Sequence, residues 1–233
     1  MQKIKGVTKF IGTGDHAYNS GTDAEVAANL APFWGNVKSR CAFVPGNHDN
    51  DTQQGEPFFT YFAKPRYNSV ETDHVEIFLV NTGFNSSMAQ TEIDNAGVLK
   101  DSVQFQWLRE ALAASTKKHK WVVWHHPPVG SGADYYPGVT QMQSIPLGEW
   151  GATALFCGHM HIVERLNWNG LLVLISGAGG RDFRPIHNPP SPYSIWARGD
   201  IAAYWTAEVT ALGARFTCLD KTGAILDRYF QAV

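Results

Sequence analysis

The chain has 233 residues, 44% of them apolar and 17% charged, with a formal net charge of -2; that is ample for one domain with a large core and excludes a dominant nucleic-acid or anionic-membrane surface. No apolar run approaches the roughly 18 residues that span a bilayer, and the N-terminus carries no hydrophobic signal segment. One domain over residues 1–233 is expected, with small-molecule partners, no nucleic acid and no membrane, and with compartment and oligomeric state left open.

Short apolar runs alternate with helical stretches through the first two thirds, which predicts α/β organisation. A strand over 7–11 runs into Gly12-Thr13-Gly14-Asp15. The capping-box pattern Thr22-x-x-Glu25 then opens a helix reaching about residue 34. A strand over 41–44 ends in Pro45-Gly46-Asn47-His48-Asp49, and another covers 75–80. Helical spacing of Val103, Phe105, Trp107, Leu108 and Leu112 predicts a helix over 102–115. Strands over 121–124 and 152–156 end in His125-His126-Pro127-Pro128 and Gly158-His159-Met160-His161. Beyond Arg165 the pattern becomes hairpins, with an Asn169-Gly170 turn and strands near 171–175, 202–209, 215–219 and 224–229. The Pro-rich stretch 181–199 reads as irregular, either a lid or a surface loop. Cys41, Cys157 and Cys218 are widely spaced and read as buried thiols.

Chemistry gathers where these strands end: Asp15 and Tyr18, Asn47 and His48, His125 and His126, His159 and His161. Five of the nine histidines lie at such ends, and open α/β sheets form their sites outside the carboxyl ends of strands. Oxygen and imidazole groups without thiolates suit Zn, Mn, Fe or Ni, and a carboxylate between two such clusters can bridge a pair of ions. Ions about 3.5 to 4 Å apart share a hydroxide and stabilise the attacking and leaving oxygens of a phosphate ester.

Gly14-Asp15-His16-Ala17-Tyr18, Gly46-Asn47-His48-Asp49, Val122-Val123-Trp124-His125 and Gly158-His159-Met160-His161 resemble, in order, the motifs of calcineurin-like metallophosphoesterases of the purple-acid-phosphatase-like branch. The resemblance implies a four-layer αββα sandwich of two mixed sheets, and hydrolysis of a small-molecule phosphate ester by a metal-bound hydroxide. A monoester is expected before a diester. It implies two divalent or trivalent ions (Fe, Mn or Zn), with Asp15 bridging, Tyr18 and His161 on the first metal, and Asn47, His125 and His159 on the second. Phenolate ligation by Tyr18 would favour ferric iron and a coloured protein. His48 would lie outside the ligand set and help protonate the leaving oxygen, with Asp49 orienting it. His126 is a further candidate for substrate contact. Tyr135 and Arg181 are weaker substrate-binding candidates, and Asp182 and Arg184 share the Arg181 loop. His16 is expected to point away from the site, while His74, His119 and His187 read as turn or surface residues.

The resemblance also has gaps. Relatives carry an earlier aspartate on their first strand, yet none of the fourteen residues before Asp15 is Asp, Glu or His. The resemblance therefore implies a fold that lacks the family's first strand, through truncation rather than degeneration. The rival expectation is an impaired module that binds one metal or a phosphorylated ligand.

Overall fold

In the computed structural model, residues 6–82, 101–133 and 140–232 are described. In chain order they form β1 (Phe10–Gly12), α1 (Asp23–Asn29), α2 (Ala31–Trp34), β2 (Cys41–Phe43), α3 (Asn47–Asn50), α4 (Glu56–Phe62), β3 (Asn68–Glu71), β4 (Val75–Leu79), α5 (Val103–Ala114), β5 (His119–Val123) and α6 (Thr140–Gln143). The remainder is β6 (Ala154–Cys157), β7 (Val163–Trp168), β8 (Leu171–Ser176), β9 (Ser194–Arg198), β10 (Ala203–Thr210), β11 (Gly213–Asp220) and β12 (Ile225–Ala232).

Strands buried along their whole length need cover on both faces, and β4 and β6 are of this kind. They sit in a seven-stranded sheet ordered β3-β4-β5-β6-β8-β7-β9. Its middle, β4-β5-β6-β8, is parallel, and β3, β7 and β9 add antiparallel pairings at the two sides. Side chains alternate across it. Val122 and Trp124 face a core that includes Phe105, Leu108 and Leu112 of α5. Trp121 and Val123 face the opposite way, toward Ala42, Val44, Ala214 and Phe216 of the second β layer. Beyond that layer, Val26, Leu30, Phe58, Phe59 and Phe62 from the α1 and α4 region cover Cys41 and Phe43. The order of layers is therefore αββα. Each fully buried Phe or Leu removes enough apolar surface to contribute about 1.5–3 kcal/mol.

Two mixed sheets were expected, but the second layer is in two pieces: β1-β2, which is parallel, and the antiparallel meander β10-β11-β12. The Thr22 capping box forms as expected, its hydroxyl accepting from the Glu25 N–H. The helix it opens is not continuous to residue 34, because Pro32 lies at the start of a separate α2. The stretch 181–199 is not wholly irregular, since β9 within it pairs with β7. Asn169 and Gly170 both adopt positive φ and join β7 to β8, as the hairpin reading requires. All three cysteines are buried and free.

Candidate metal centre

The carboxyl ends of β1, β2, β5 and β6 converge, and two close approaches make this possible. Gly14, at φ 99°, and Gly46 have no room for a side chain: a Cβ at Gly14 would strike the His125 ring and one at Gly46 the Asp15 carboxylate. Asp15 and His159 themselves hold left-handed backbone, at φ 58° and 59°. For residues other than glycine this costs roughly 1–3 kcal/mol each, a strain typical of functional positions.

His125 Nδ1 lies 2.7 Å from the Thr13 carbonyl, an acceptor, so Nδ1 carries the hydrogen. The lone pair then belongs to Nε2, which lies 3.1 Å from Asn47 Oδ1, 3.3 Å from His159 Nδ1 and 3.3 Å from Asp15 Oδ2. His159 Nδ1 is also 3.1 Å from Asn47 Oδ1. Groups that mainly accept thus face one another in a buried space, and they need a cation, or a proton in its stead, to hold them together. These donors fit a borderline metal ion.

The titration of the cluster points the same way. Burial opposes ionisation of Asp15, but the charges of His125 and His48 and the bond to His125 outweigh it, leaving the carboxyl far below the usual range. Burial likewise opposes charge on His125, yet Asp15 wins and its pKa rises. His159, desolvated and beside His125, falls to about 3 and keeps a neutral ring.

On the other side of Asp15, Tyr18 Oη donates to Asp15 Oδ2 at 3.1 Å and lies 3.5 Å from His161 Nε2. Burial, then the charge on Asp15, pushes the Tyr18 pKa upward. The Arg181 guanidinium lies 4.5 Å from the centre of the Tyr18 ring. His161 Nδ1 is 3.3 Å from Asp182 Oδ1.

His48 is anchored twice. Its backbone N–H donates to Asp15 Oδ1 at 3.0 Å, and its Nδ1 lies 2.6 Å from the Asn19 carbonyl. Asp49 does not orient it, contrary to expectation. The buried Asp49 carboxylate instead accepts backbone N–H groups of His16, Ala17 and Gly46 at 2.8–3.1 Å, tying the Asp15 loop to the Asn47 loop. His126 also departs from expectation: it has no exposed surface and so is closed to substrate. Its Nδ1 lies 2.6 Å from the Thr82 carbonyl. One ring nitrogen each from His125, His126 and His159 falls within 4.8 Å of the others, so His126 belongs to the imidazole cluster.

His16 points away from the centre, stacked on Phe43 at 4.7 Å. His119, read as a surface or turn residue, is 1% exposed within β5. Tyr135 lies outside the described residues. Thr13 and Thr82, whose oxygens fix His125 and His126, had no motif to reveal them.

A family model for calcineurin-like phosphoesterases matches residues 1–163. Over 183 residues the chain is 23% identical to the 3',5'-cyclic adenosine monophosphate phosphodiesterase of Escherichia coli strain K12, covering 76% of this chain and 62% of that protein. It is 28% identical over 133 residues to tartrate-resistant acid phosphatase type 5 of Homo sapiens, covering 53% and 40%. The purple acid phosphatase PPD1 from yellow lupin seeds is similar in fold, with a TM-score of 0.72 at 15% identity over 99% of this chain and 47% of that one. The chain thus spans less than two thirds of the length of each.

Proposed function

This chain belongs to the calcineurin-like phosphoesterase family, and from that premise we propose that it hydrolyses small-molecule phosphate esters, monoesters before diesters, at a centre of two metal ions. The observation that carries the reading is the convergence of Asp15, Asn47, His125 and His159 through their acceptor atoms, with Tyr18 and His161 on the far side of Asp15. Asn47, His125 and His159 would hold one ion, Tyr18 and His161 the other, and Asp15 both. Bound there, the ions supply the Lewis-acid charge that in-line displacement at phosphorus requires.

The surrounding residues support that role. Thr13 fixes the His125 tautomer with its lone pair inward, and burial keeps the His159 ring neutral. With Nδ1 committed to Asn19, His48 can hold a proton at Nε2 for the leaving oxygen. Asp49 acts at one remove, by joining the two loops. The half-exposed Arg181 guanidinium, beside Tyr18, suits the oxygens of a dianionic monoester.

The test is elemental analysis of protein purified without chelator, beside hydrolysis of an aryl phosphate and a bis-aryl phosphate with Mn, Zn or Fe supplied. Two ions per chain, and faster metal-dependent turnover of the monoester, are expected. One ion without turnover of either ester would overturn the reading in favour of a non-catalytic binding module.

A further inference from the structure

We propose that Asp182 is a positioning residue for His161: its carboxylate accepts the Nδ1 hydrogen and so turns the Nε2 lone pair toward Tyr18 and Asp15. His161 Nδ1 is buried and has no partner of hydrogen-bond geometry among the described residues. Asp182 Oδ1 lies 3.3 Å from it, and a small rotation of this half-exposed carboxylate completes the bond. A carboxylate can only accept, so the hydrogen must sit on Nδ1. Nε2, 3.5 Å from Tyr18 Oη, is then free to accept or to ligate. Without Asp182 either nitrogen can carry the hydrogen, and the tautomer with Nε2–H cannot bind a metal through that atom.

The loop is built to keep Asp182 there. The Arg184 backbone N–H donates to the His161 carbonyl at 3.3 Å, holding the loop against the residue it serves. Arg184 Nη2 and Arg181 Nε reach the Asp182 carboxylate at 3.1 and 3.4 Å. Arg181 also covers the Tyr18 ring. One short segment therefore touches both Tyr18 and His161, the pair assigned above to a single ion. An exposed ion pair would do little for stability by itself; an acceptor behind a ligating imidazole fixes its tautomer and orientation.

The consequence for metal affinity rests on the proposed function, but the tautomer does not, so the two can be separated. Long-range proton–nitrogen correlation spectra of the metal-free, nitrogen-15-labelled chain read the His161 tautomer, and titration with Mn²⁺ reads affinity. Wild type is expected in the Nδ1–H form. Asp182→Asn, whose amide oxygen still accepts, keeps that form, whereas Asp182→Ala gives a mixture and binds Mn²⁺ about 10- to 100-fold more weakly. A thermal melt of each variant confirms that it is folded. An Nε2–H tautomer in wild type, or Asp182→Ala unchanged in both tautomer and affinity, would overturn the proposal. The expected tautomers without Mn²⁺ binding by wild type would uphold the positioning role and remove the metal reading instead.

Discussion

Asn47 presents one amide oxygen to two imidazole nitrogens at 3.1 Å each, so removing it opens the cluster without disturbing a core contact. Asn47→Ala is expected to lose the ion that would be shared with His125 and His159 and to abolish turnover, while unfolding near the wild-type midpoint when both proteins are metal-free; metal analysis and an equilibrium melt in chelator check both halves. His48→Ala should lower turnover and leave metal content intact, since its ring contacts the Asn19 carbonyl and Tyr18 rather than the converging acceptors. Asp49 is the opposite case. Its carboxylate satisfies three backbone N–H groups, those of Ala17 and Gly46 buried and that of His16 partly so, and leaving a buried one unpaired costs about 1–3 kcal/mol. Asp49→Ala should therefore destabilise the fold by at least about 2 kcal/mol in urea unfolding, and Asp49→Asn by less, because its amide oxygen still accepts.

At the level of elements, the strands with dense apolar runs and ligand-type residues at their ends were legible, because burial and chemistry both mark them. What escaped has a physical cause in each case. β3 buries little of its Asn-Ser-Val-Glu sequence, and β9 is an edge strand inside a Pro-rich segment, so neither shows a strand pattern. The partners of Asp49 are backbone amides, some of them more than 30 residues away, which no side-chain motif encodes. Asp182 lies on a loop that resembles any solvated charge cluster. His119 was misjudged because a polar residue opening a strand usually faces water, whereas this one is sealed in β5, with neither ring nitrogen hydrogen-bonded among the described residues. Burial, then the nearby His74 and Lys118, lowers its pKa below the ordinary 6.5. The folded state therefore holds this ring neutral where the unfolded chain takes up a proton. Its contribution to stability is complete above pH 6.5 and is lost as pH falls through the folded pKa. His119→Leu should reduce the acid slope of stability by up to one proton, about 1.4 kcal/mol per pH unit, with no loss at pH 8; urea melts from pH 5 to 8 test it.

For the molecule as a whole, the loops that carry the candidate ligands depend on the strands beneath them, and those strands pack against the second β layer. Phe216 of β11 has no exposed surface and packs against Trp121 and Phe156, with ring centres 5.4 and 6.0 Å away. Those two belong to β5 and β6, the strands that lead into His125 and His159. Phe216→Ala should cost about 3–5 kcal/mol, because the close-packed aromatic cluster cannot collapse into the space left behind. The cavity lies within the strand layers, whereas the converging acceptors are fixed beyond the strand ends by the Thr13 carbonyl and the Asp49 carboxylate, so metal affinity in the folded state should hold. Ions that bind only the native state add stability by mass action, about 2.7 kcal/mol at a hundred times the dissociation constant. The decisive comparison is therefore the gain on adding Mn²⁺, read from urea melts of both proteins. Equal gains mean that the second layer supplies stability while the loops set the site; a smaller gain in Phe216→Ala means that the layer contact also shapes the metal centre.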